Sequence, residues 1–154
     1  MGQIELYEHD FNTWIHQQIQ MLKSGNLQQL DVQHLITELE EMSKSDVRAL
    51  ESRLIILIAH LLKWQFQLMT LTAQWQGYEG KSWRNTLIEQ RAQVRYLLKK
   101  VPSLKREFLK VVNEVYSEAV TVAEKETQLS RSIFPMSCPY TIEQLLDDEF
   151  YPSA

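Results

Sequence analysis

The chain runs to 154 residues, 44% hydrophobic and 23% charged, with 4 Gly and 4 Pro; that balance excludes a disordered chain, and the length gives room for one domain, residues 1–154. The lone cysteine, Cys138, excludes an internal disulfide. The opening residues lack the basic-then-apolar order of a secretory signal and no apolar run reaches membrane-spanning length, so the expected setting is the cytoplasm with no membrane partner.

So few turn residues over such a length predict long helices. The first is expected over about residues 10–23, where Phe11, Trp14, Ile15, Ile19 and Leu22 recur at helical spacing. Gly25 suits a left-handed C-terminal cap, and Asp31 is a favourable N-cap for the next helix. That second helix is expected to be very long. Leu35, Leu39, Met42, Asp46, Leu50, Leu54, Leu57, Leu61, Trp64 and Leu68 step by threes and fours, and no Gly or Pro lies between Asp31 and Trp75. The polar run Ser43-Lys44-Ser45-Asp46 marks the place where it could kink, because Ser and Asp compete for backbone hydrogen bonds.

Residues 75–81 read as a loop and Ser82 as the cap of a third helix, with Trp83, Leu87, Gln90, Val94, Leu97 and Val101 on one stripe. Pro102 ends it and Ser103 caps a fourth helix, whose stripe is Leu104, Phe108, Val111, Val115, Ala119 and Val122. The tight connection implies that these two helices lie antiparallel. Residues 133–154 change character: Pro135 and Pro139 hold an extended segment, then Thr141 and Gln144 form a capping box for a short helix. The expected fold is all-α, an antiparallel bundle of four main helices with a short C-terminal helix docked on it.

Several stretches carry a resemblance that spans nearly the whole chain in order. They are Tyr7-Glu8-His9-Asp10-Phe11-Asn12-Thr13-Trp14, the region of Leu39-Glu40-Glu41-Met42, His60-Leu61-Leu62-Lys63-Trp64, Ser82-Trp83-Arg84-Asn85-Thr86, Pro102-Ser103-Leu104 and Phe134-Pro135-Met136-Ser137-Cys138-Pro139-Tyr140. In these the chain resembles the small cyanobacterial and proteobacterial helical proteins catalogued as domain of unknown function twenty-nine. The resemblance implies an all-helical fold and no particular activity. Many relatives look as if they carry a short Arg- and Ser-rich loop before the Ser-Trp-Arg motif; here residues 74–80 are neutral to acidic with two aromatics, Trp75 and Tyr78.

No pattern points to catalysis. A di-iron bundle needs Glu-x-x-His pairs on two helices; none occurs, His9, His16, His34 and His60 are scattered, and Asp31-Val32-Gln33-His34 is a lone Asp-x-x-His at a cap. Glycine-rich phosphate loops, nucleophile elbows and His-Glu-x-x-His are missing too. Cys138 precedes a helix N-terminus that could lower a thiol pKa, but without a partner base it reads as a packed small residue. No catalytic residue, metal or cofactor is expected.

Three constellations remain. Glu38 and Glu41 share a helix face and read as ion-pair carboxylates, with Arg84 and Arg91 as natural partners. His60, Lys63 and Trp64, near Trp83 and Arg84 once the chain reverses, form a candidate ligand or partner site at one bundle end. Arg84, Arg91, Arg95 and Lys99 span about 80° of the third helix at 100° per residue and form a candidate phosphate-binding face.

Charge points the same way. Residues 1–50 hold eight acids and three bases, residues 51–100 three acids and eight bases, residues 101–154 nine acids and five bases, and residues 81–110 alone nine bases and two acids. Complementary neighbouring helices are the bland explanation. The leading expectation is a non-enzymatic helical module that binds a protein, another copy of itself included; the second is nucleic-acid binding through the basic face.

Overall fold

Every regular element among the described residues is a helix, as the apolar spacing predicts. The computed structural model describes residues 2–68, 71 and 73–153, the side chains of 73–76, 78 and 79 excepted. In chain order the α-helices are α1 (Gln3–His9), α2 (Phe11–Ser24), α3 (Val32–Phe66), α4 (Ala73–Lys100), α5 (Leu104–Thr127) and α6 (Ile142–Leu146). Single turns of tighter helix occupy Leu27–Gln29 and Arg131–Ile133. No described helix is long and apolar enough to cross a membrane.

The helices group into two compact units, residues 1–44 and 45–154, and α3 contributes to both. In the first unit, α1 escapes the spacing argument because it is seven residues long and buries only Leu6. Asp10 joins it to α2, accepting from the Thr13 amide at 3.2 Å as the α2 N-cap. Gly25 closes α2 at φ 75°, in the left-handed region that favours glycine. Asp31 then starts α3, its side chain accepting from the His34 amide at 3.4 Å.

In the second unit one core gathers the C-terminal part of α3, the inner faces of α4 and α5, and residues 134–151. Leu54, Leu57, Ile58, Leu61, Leu62, Leu87, Val94 and Leu145 are all fully buried within it. Each Leu or Ile withdrawn from water in this way stabilises by roughly 1.5–3 kcal/mol.

Four expectations about element ends are corrected. The long helix stops at Phe66, although no Gly or Pro is there to stop it. Tertiary anchors do so instead: the Gln67 side chain donates to Thr127 O at 3.1 Å, and Leu68 is buried. Residues 75–81 are helical rather than a loop, because α4 already begins at Ala73 and carries Gly77 and Gly80 inside it. Gly80 lies against Leu68, where a Cβ would make an ordinary van der Waals contact with the leucine side chain at 3.4 Å. Ser82 is therefore interior and caps nothing, and Ser103 precedes α5 without a side-chain cap bond. The polar run at residues 43–46 does not interrupt α3. The capping box of Thr141 and Gln144 is present, with reciprocal bonds of 2.9 and 3.1 Å.

Candidate functional site

Of the residues expected at the bundle end, Lys63 meets Trp83, while Trp64 and Arg84 meet around one further residue. Tyr151, near the chain end, lies against Trp64 with ring centroids 4.8 Å apart, and the Arg84 guanidinium stands 5.1 Å from its ring centre. Arg91 approaches the same ring at 5.7 Å. Nothing in the spacing of the C-terminal residues singles out Tyr151; only an aromatic next to Phe150 could have hinted at it.

Lys63 and Trp83 form a neighbouring pair. The Lys63 ammonium is buried, 2.6 Å from a Glu126 carboxylate oxygen and 4.7 Å from the Trp83 ring centre. An opposite charge and an aromatic face together satisfy a cation that would otherwise be costly to bury. His60 is half-buried, its Nδ1 3.0 Å from Ile56 O. Burial and then the Lys63 charge lower its pKa from the ordinary value, so the ring is held neutral. These groups are partnered by the protein itself and line packed structure.

The expected phosphate-binding face divides in two. Arg91 is fully buried, and its guanidinium donates to three backbone carbonyls: Leu145 O at 3.0 Å, Gln144 O at 3.0 Å and Phe150 O at 2.9 Å. The carbonyls of residues 144 and 145 belong to the last turn of α6, which has no intrahelical donors for them. Arg95 adds a bond to Leu146 O at 3.0 Å and pairs with Asp148 at 2.9 Å. Arg91 and Arg95 thus cap the C-terminal end of α6, where cations are also favoured by the helix dipole, and Arg91, being buried, is not on the surface to track phosphates. Lys99 keeps an exposed side chain.

Glu38 and Glu41 likewise find partners other than Arg84 and Arg91. Glu38 accepts from the Tyr7 hydroxyl at 2.6 Å, and Glu41 lies 3.6 Å from Lys44. The Glu38 bond holds the Tyr7 hydroxyl above its usual pKa. Tyr7 also stacks on the His34 ring at 3.8 Å, and His34 Nδ1 sits 2.7 Å from Asp31 Oδ2. That same carboxylate oxygen accepts from the indole N–H of buried Trp14 at 3.1 Å. Burial raises the Asp31 pKa, but hydrogen bonds from His34 and Trp14 outweigh it and leave the carboxyl below its usual range. The cluster is a polar rivet joining α1, α2 and the start of α3.

Around the rivet the unit is apolar outside as well as in. Among its described residues only Leu6 and Trp14 are buried hydrophobics, while Ile4, Leu22, Leu27, Ile36, Leu39 and Met42 are 44–67% exposed. At 100° per residue, Val32, Ile36 and Leu39 fall within about 60° of one another on α3.

Elsewhere in the second unit a cleft of about 530 Å³ lies between α5 and residues 131–136. Its polar walls are already engaged: Arg131 donates to Ser117 Oγ at 2.9 Å and Thr121 Oγ1 at 3.1 Å, and Tyr116 to Pro135 O at 2.7 Å. Burial pushes the Tyr116 hydroxyl up to about 12. Burial also raises the Cys138 thiol pKa, so the helix that follows does not activate it. Among the described residues no group of three or more His, Cys, Asp or Glu side chains is placed to hold a metal ion.

Residues 6–151 match the family described as Domain of unknown function DUF29. Compared with curated proteins and with solved structures, the chain matches none.

Proposed function

The chain belongs to the Domain of unknown function DUF29 family, which brings no activity with it, and on that premise we propose that it is a helical protein-interaction module whose binding face lies in residues 1–44. One observation carries this reading: a unit with two buried hydrophobic side chains exposes apolar residues on α2, on the turn after it and on α3. Exposed apolar surface gathered in one region, rather than scattered singly, marks a place where another surface docks.

The charge of the unit narrows the partner. Residues 1–44 carry seven acids and two bases, and Glu38, Glu40 and Glu41 accompany the α3 stripe. An amphipathic helix with apolar anchors at helical spacing and Lys or Arg beside them complements that face. The partner is either a different protein or another copy of this chain.

A photo-reactive residue at position 39 tests the proposal in cells, with position 93 on exposed α4 surface as the control. A discrete adduct from position 39, mapped to an apolar and basic segment, is expected. Equal adduct formation from both positions sinks the reading. Leu39→Glu with Met42→Glu should lower affinity for the captured partner by at least tenfold while helicity is unchanged.

A further inference from the structure

Once Arg91 and Arg95 are assigned to the α6 end, the basic stretch still leaves a cluster unexplained. Lys99 and Lys100 end α4, and Lys105, Arg106 and Lys110 open α5 on the other side of Pro102. All five are exposed, and among the described residues none has a side-chain ion pair or hydrogen bond. One acid, Glu107, lies within the same stretch. We infer that this turn, with Tyr96 beside it, is a binding site for the backbone and bases of single-stranded nucleic acid.

The placement is what a phosphate-tracking surface needs. Five cations within twelve residues repel one another, and among the described residues no ion pair neutralises them, in contrast to Arg95 one turn earlier. Lys side chains act as mobile point charges, suited to a flexible backbone rather than to fixed bidentate recognition. Tyr96 is 63% exposed, three and four residues before Lys99 and Lys100, so its ring shares their side of α4. An aromatic face among cations is the arrangement on which an unpaired base stacks.

An anionic membrane offers phosphates too, but the apolar part of the surface does not suit it. An interfacial helix inserts a continuous apolar face. Here the apolar faces of α4 and α5 are in the core, through Val94, Leu98, Leu104, Phe108 and Val112. Tyr96 and Leu109 are what remains outside near the turn. This site is separate from the face in residues 1–44, and either can fail without the other.

Fluorescence anisotropy of a labelled oligothymidine of about 15 nucleotides, titrated with the full chain between 50 and 200 mM salt, tests the inference. With five phosphates and a single-strand slope of about −0.7 each, affinity should fall about a hundredfold over that range. Lys105→Glu with Arg106→Glu should weaken binding at least tenfold and flatten the salt slope. Lys23→Glu with Lys125→Glu, an equal charge change elsewhere, should weaken it less than threefold. Tyr96→Ala should cost about tenfold for the single strand and nothing for a duplex of the same length. No binding at 50 mM salt, equal losses in the two charge variants, or capture by phosphatidylserine vesicles without oligonucleotide binding would each overturn the proposal. Circular dichroism of each variant separates lost binding from lost folding.

Discussion

Helix α3 changes character along its length. Between Val32 and residue 44 it has no buried side chain, and Val32, Ile36, Leu39 and Met42 face solvent; from Leu50 to Lys63 it contributes eight buried residues. Both stretches carry apolar residues at helical spacing, and on the sequence the pattern runs unbroken through both. The difference teaches that a hydrophobic stripe states a capacity for burial without saying where the covering surface is. In residues 45–154 the chain supplies the cover itself, from α4, α5 and the C-terminal segment. For residues 1–44 the proposal is that a partner supplies it.

The sharpest way to test that contrast is one substitution in each stretch. Leu57→Ala should cost on the order of 2–5 kcal/mol, through lost burial and the cavity left behind. Leu39→Ala should stay within about 0.5 kcal/mol, as an exposed helix position does. Urea denaturation of both variants checks this, and equal losses would erase the distinction between the two stretches.

A similar contrast holds within the basic stretch. Arg91→Ala leaves the buried carbonyl of Leu145 and the partly buried ones of Gln144 and Phe150 without their donor, and should cost about 2–3 kcal/mol. Arg91→Lys should recover little of this, since an ammonium lacks the planar fork that reaches three carbonyls. Arg106→Ala should change thermal stability by less than about 0.5 kcal/mol.

The rivet of the first unit should be worth less and should depend on pH. Asp31→Ala removes an N-cap and the partner of the Trp14 indole, for about 1 kcal/mol at pH 7. The Asp31 carboxyl has its folded pKa lowered, so its charge stabilises the fold above the unfolded value of about 3.9. That contribution is lost as pH falls through the folded value. The gap between wild type and variant, followed by urea denaturation from pH 7 to pH 3, should therefore narrow in acid. A constant gap would mean that the carboxyl contributes by shape alone.

The smallest effect belongs to Lys44. Its contact with Glu41 is 3.6 Å long between largely exposed side chains, and Lys44→Gln should cost no more than about 0.5 kcal/mol. A loss above 1 kcal/mol would show that the start of α3 is held more firmly than its exposure indicates.

Much of the fold was legible from local chemistry. Apolar spacing located α2, most of α3, α4 and α5, Gly25 and Asp31 marked their ends, and the Thr141–Gln144 box opened α6 as read. Those signals are local, decided by neighbours within one helical turn. The candidate site was legible in part: Lys63, Trp64, Trp83 and Arg84 do gather in pairs, but around Glu126 and Tyr151, which no spacing rule connects to them. The end of α3 at Phe66, the helical state of residues 75–81, the Tyr7 partner of Glu38 and the burial of Arg91 were decided by tertiary structure. Three of these show a contact between residues far apart in the chain: Gln67 with Thr127, Tyr7 with Glu38, and Arg91 with Gln144, Leu145 and Phe150. A sequence specifies which side chains can make such contacts; only the packed fold brings donor and acceptor within hydrogen-bonding distance.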